Sequence, residues 1–172
     1  MVQTLVIRGQ TATRLVGRLT LALVAILALG SLAACTPELT ATSAIMRATD
    51  GGIKIVAYFC QETAHASIEL LAKDDKAVAV FRGPGAAGVV TTVGSGRESR
   101  GWKRDRGSVE MDRNSEYYVA VLRPNDVTLG SSDLFYESEA ERLPKGKILF
   151  ARDGKRQILT LESFAATARK NC

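Results

Sequence analysis

The sequence predicts a mainly β domain: an antiparallel β-sandwich or barrel-like body closed by one C-terminal α-helix. Three observations carry that expectation. Short apolar segments recur with a period of two, polar or glycine-bearing turns separate them, and the last stretch alone changes to a helical period. The bulk numbers agree with a single folded domain. The chain has 172 residues, 46% of them apolar and 24% charged, which excludes a disordered tail, a collagen or a disulfide-dense mini-protein.

Taken in order, the chain begins with an address. Residues 1 to 34 carry Arg8, Arg14 and Arg18 and no acidic residue. An apolar run from Leu19 to Leu29 follows, then Gly30-Ser31 and Leu32-Ala33-Ala34-Cys35. A basic segment, an apolar segment of about a dozen residues and a small-residue boundary are the parts of a cleaved secretory signal. From Leu19 to Ala34 is short of the ~20 apolar residues that span a bilayer. The Leu32-Ala33-Ala34-Cys35 ending resembles the lipobox of bacterial lipoproteins. That resemblance covers only the signal and its cysteine. It implies diacylglycerol attachment at Cys35, cleavage just before it, palmitate-type acylation, and residence on the extracytoplasmic face of the cell membrane. The formal charge of +5 then loses its apparent meaning, because removing three arginines from 23 basic residues leaves 20 against 18 acidic ones.

Residues 35–50 then read as the lipidated cysteine and a Thr-, Ser- and Ala-rich tether, ending near an early strand. The β-rich globular domain is expected over 51–172. Its strands are read at Ile53–Phe59, Ser67–Leu71, Ala77–Phe81, Val89–Val93, Glu116–Leu122, Leu134–Tyr136, Lys147–Ala151 and Arg156–Leu159. Lys73–Lys76 and Asp153-Gly154 supply hairpin turns. Thr160 is a good N-cap, and Leu161, Phe164, Ala165 and Ala168 fall on one face of a closing helix.

With Cys35 assigned to lipid, Cys60 and Cys172 remain. An even remainder in an exported chain predicts one disulfide, against two free thiols or pairing between molecules. Cys172 lies three helical turns after Leu161, so the spacing places it on the buried face with Phe164 and Ala168. The bridge would fasten the last helix to the first core strand.

Catalytic residues are scarce. His65 is the only histidine, and Ser67 at i+2 has no Gly-x-Ser-x-Gly elbow around it. One histidine and no spare cysteine remove the zinc patterns, and no cofactor or nucleic-acid partner is expected. Gly83-Pro84-Gly85-Ala86-Ala87-Gly88 spells a dinucleotide fingerprint, but strand-forming Val89–Val93 follows where a helix is required, so it reads as a glycine-rich hairpin connection. Arg97, Arg100, Lys103, Arg104 and Arg106 surround the only tryptophan, Trp102. Arg100, Trp102, Lys103 and Arg104 are therefore the candidate contact with a protein or an anionic envelope partner, the alternative being a loop whose Trp caps the sandwich. Glu137, Glu139 and Glu141 read as a solvated edge. The expectation is a non-enzymatic binding or interaction domain, membrane-attached through its lipid. The alternatives are a defensive lipoprotein, excluding phage or inhibiting a wall-degrading enzyme, and a small envelope hydrolase.

Overall fold

The computed structural model describes residues 40–172; the signal segment, Cys35 and the first part of the expected tether lie outside the described residues. Eleven strands form two antiparallel sheets. The first sheet contains β1 (Ala41–Arg47), β2 (Ile53–Phe59), β5 (Val90–Gly94), β10 (Ile148–Arg152) and β11 (Lys155–Leu159), in the order β11-β10-β1-β2-β5. The second contains β3 (Thr63–Ala72), β4 (Ala77–Gly85), β6 (Lys103–Gly107), β7 (Glu116–Arg123), β8 (Val127–Ser131) and β9 (Phe135–Tyr136). Its order is β6-β4-β3-β7-β8, with β9 also on β7. Residues 40–172 form a β-sandwich with two helices, α1 (Glu137–Arg142) and α2 (Leu161–Lys170).

Alternation decides which side chains meet. Ile45, Ile55, Phe59, Ile68, Leu70, Phe81, Val119 and Val121 point between the sheets and are essentially removed from water. The opposite face of the first sheet presents Ala44, Val56, Tyr58, Ile148 and Phe150, and helix α2 covers it with Phe164 and Ala168. Phe150 and Phe164 meet edge to face with centroids 6.0 Å apart, a preferred geometry for aromatic quadrupoles. Thr160 caps α2 as expected, its Oγ1 accepting the Ser163 N–H at 3.1 Å. Leu161, expected on the buried face, is instead 43% exposed.

The domain begins earlier than Gly51. Ala41–Arg47 is no tether: it is the middle strand of the first sheet, paired with β2 from Ala41↔Phe59 to Arg47↔Ile53 and with β10 at Ile45 and Met46. Small side chains explain both the misreading and the burial. Ala41, Thr42, Ser43 and Ala44 look like linker composition, yet they allow close approach from both faces, and the buried Ser43 hydroxyl donates to the Val119 carbonyl across the core at 3.2 Å.

The register defines two ends of the sandwich. The chain enters at Ala41, beside Phe59 and Val90. At the far end lie Arg47, Ile53, Gly94 and Ile148. A seven-residue strand separates the ends by roughly 20 Å. The predicted hairpins β3–β4 and β10–β11 are present, the latter turning at Asp153 and Gly154, both with positive φ. The expected hairpin at Gly83–Gly88 is a crossover instead, since β4 belongs to one sheet and β5 to the other. No helix among the described residues is long and apolar enough to cross a membrane.

Candidate functional site

The entry end is dominated by packing. Cys60 and Cys172 form the expected disulfide, with Cα atoms 5.4 Å apart and a sequence separation of 112. Its placement differs from the expected one in a detail: helix α2 stops at Lys170, and Cys172 lies beyond it, exposed rather than on the Phe164–Ala168 face. The closing turn through Asn171, whose N–H bonds to the Ala168 carbonyl, lets the thiol leave the helix and reach Cys60. The bridge fastens the helix to the strand that carries Phe59.

Trp102 belongs to the same end and is unavailable as a contact residue. Only 6% of it is exposed. Its indole N–H donates to the Pro84 carbonyl at 2.9 Å, and its ring lies 6.1 Å from that of Phe59. The glycines of the false fingerprint make the room. A Cβ on Gly83 would fall 2.6 Å from Trp102 Cδ2, and one on Gly85 would fall 2.5 Å from Phe59 Cδ1. Gly83 and Gly85 are therefore aromatic seats. A lone tryptophan amid cations suggested a recognition loop. It buries instead because an indole with one satisfied donor is worth more as core than as surface.

The cations next to it do remain outside. Arg100 and Lys103 are exposed, and β6 is an exposed edge strand, Lys103-Arg104-Asp105-Arg106-Gly107. Arg104 is mostly committed. It donates to the Gly94 carbonyl at 3.0 Å, approaches Glu98 at 3.7 Å, and lies 5.5 Å over the Phe81 ring. Asp105 pairs with Arg82 at 3.0 Å. Charge on an edge strand also blocks pairing with another chain.

Ser67 and Glu69 share one face of β3 as alternate residues, and His65 precedes them within the register irregularity between Thr63 and Ala66. The Ser67 hydroxyl donates to Glu69 Oε1 at 3.1 Å, and His65 is exposed. They border a cleft of about 420 Å³ with Arg82 and Arg123.

Comparison with protein-family models, with curated proteins and with solved structures finds no match. The site must be read from its own geometry.

That geometry singles out the far end. A cavity of about 560 Å³ opens there between the β1–β2 turn, the segment after β5, the 108–111 segment and helix α1. Its lining includes apolar Ile53, Val109 and Met111, each packed on the sandwich core. It also includes Glu110, Glu137 and Glu141. The sequence had Glu137–Glu141 as a solvated edge, and the structure corrects this. The segment is a short helix, and Glu137 is 6% exposed. Glu139, by contrast, turns outward, accepting from the Tyr136 N–H at 2.8 Å and from Arg156 at 2.7 Å. No hydrogen bond or ion pair reaches the Glu137 carboxylate among the described residues. The signal available in the sequence was the four-residue spacing of Glu137 and Glu141, which puts both on one side of a helix.

Proposed function

We propose that the protein is a lipid-anchored, extracytoplasmic bacterial lipoprotein whose sandwich binds a partner or ligand at the cell envelope and performs no chemistry of its own. The observation that carries the reading is the division of labour among three cysteines. Cys60 and Cys172 are bridged to each other, which suits an oxidising compartment. Cys35, at the end of the Leu-Ala-Ala sequence, is left for the lipid. Two or three acyl chains hold a protein at a bilayer firmly where one does not.

With β1 starting at Ala41, only four residues separate Cys35 from Thr40. At most ~18 Å of extended chain would then lie between the acyl group and the sandwich. Arg100 and Lys103, exposed near the entry end, suit an anionic envelope surface, and they replace Trp102 as the contact. A binding role is favoured over a small hydrolase by Ser67. Its hydroxyl donates to Glu69, yet among the described residues no third group hydrogen-bonds or ion-pairs to Glu69 to orient it as a base.

Metabolic labelling with a palmitate analogue tests the anchor. The wild-type protein should incorporate label and fractionate with membranes. Cys35→Ala should lose the label and the membrane association together. Label retained in the Cys35→Ala protein would overturn the reading.

A further inference from the structure

We infer that the far-end cavity is a binding site for an organic cation, an ammonium group carried on an aliphatic stem. The inference stands on the cavity alone and does not depend on the lipid anchor. Its starting point is Glu137. Removing a carboxylate from water without a partner is costly, and buried acidic side chains are ordinarily paired. Glu137 is buried to within 6% of its surface, lines the cavity, and has no hydrogen bond or ion pair to its carboxylate among the described residues. The Glu137 oxygens are not among the enclosed atoms that lack a partner, so they open onto the cavity, where no protein donor among the described residues meets them. Glu141, one helical turn on, and Glu110, from the 108–111 segment, repeat the sign.

The positive charge nearby does not cancel this. Arg104 lines the cavity, but its guanidinium is held by the Gly94 carbonyl and by Glu98. Arg47 pairs in register with Ile53 at the same end, and its buried Nε lacks a partner; even so, no ion pair joins it to Glu137. The described residues offer no cluster of three acidic, histidine or cysteine groups arranged to hold a metal ion, so the geometry favours an organic cation. The apolar part of the lining decides the rest of the ligand. Ile53, Val109 and Met111 add apolar surface to the same cavity, which suits a short methylene chain ending in an ammonium. The volume lies within the ordinary range for small-molecule sites. A primary amine of about five carbons, such as a diamine or a lysine-type side chain, meets both kinds of lining.

Isothermal titration of the full-length chain in detergent with cadaverine tests this. Saturable binding is expected below about 10 mM, with Glu137→Gln weakening it by about tenfold or more, the worth of a charge-assisted hydrogen bond. Glu141→Gln should weaken it less, about threefold, and Glu162→Gln on the outer face of α2 should leave it unchanged. Glutarate and pentanol, the anionic and neutral counterparts, should not compete. Absence of saturation, equal binding by the Glu137→Gln protein, or competition by glutarate would each overturn the proposal. Should Glu137→Gln fail to fold, exposed Glu141→Gln in the same titration decides. Loss of anchoring would show in palmitate labelling and leave this titration untouched.

Discussion

The two ends of this sandwich are built to opposite standards. At the entry end the groups that matter are satisfied: the thiols are joined, the indole N–H has its carbonyl, and glycines are carved to the outline of two rings. At the far end Arg47 Nε is buried without a hydrogen-bond partner, and the Glu137 carboxylate faces a cavity with no protein partner among the described residues. The difference teaches where rigidity is spent and where recognition is kept open. A fold that pairs its polar groups at one end and leaves a carboxylate unmatched in a cavity at the other has separated support from binding.

The sharpest way to break this contrast is to cut the entry-end cross-link. Replacing Cys60 and Cys172 by serine frees a loop of 112 residues, and the chain-entropy argument assigns about 4–5 kcal/mol to it. Urea unfolding should show a loss of that order, with cadaverine binding at the far end retained wherever the protein remains folded. A loss of binding before unfolding would mean that the two ends are not independent.

Next in size is the aromatic seat. Trp102→Ala should cost about 3–5 kcal/mol, because it empties a packed position and strands the Pro84 carbonyl. As the only tryptophan, Trp102 also reports on its own surroundings. Its fluorescence should be poorly quenched by iodide in the folded wild type. Strong quenching would return Trp102 to the surface and restore the recognition loop that composition suggested.

Much of the frame was legible in the sequence, and the misses have physical reasons. Strands with large β-branched or aromatic residues, such as Glu116–Leu122, declare themselves by alternation. β1 did not, because its burial depends on small side chains whose value appears only when two sheets close on them. β6 did not either, since an edge strand of alternating charges has no apolar face to reveal. The disulfide followed from counting, but its exact reach did not, because a helix end cannot be placed from its pattern alone. The cavity was hidden for a related reason: Ile53, Val109 and Glu137 are distant in sequence and become neighbours through strand pairing and a six-residue helix.

A smaller effect is expected where the far end is held by polar contacts at its turns. Tyr118 donates to Asp75 Oδ1 at 2.6 Å, tying β7 to the β3–β4 turn. That bond, with some burial and the Asp75 charge, pushes the phenol up to about 12 from its ordinary value of 10.0. The folded state thus favours the neutral phenol. The stability it contributes is present below pH 10 and is lost as the pH rises from 10 through 12. Tyr118→Phe should cost about 1 kcal/mol at neutral pH and should flatten the decline above pH 10. An unchanged alkaline decline in the variant would remove Tyr118 from the account.

The smallest change in stability is expected at the residue with the largest expected effect on binding. Glu137→Gln keeps the shape of the side chain and removes a charge that the fold sets in a cavity with no protein partner among the described residues. A group held for packing loses stability when altered, as Trp102 should. One held for a ligand sits at a cost, so neutralising it should leave the protein unchanged or stabilise it by up to about 1 kcal/mol. Urea unfolding of the two variants side by side, without amine, makes the comparison direct. If Glu137→Gln destabilises the domain as severely as Trp102→Ala, the far end is architecture like the entry end. If it does not, while cadaverine binding falls, the unmatched carboxylate is there for the cation.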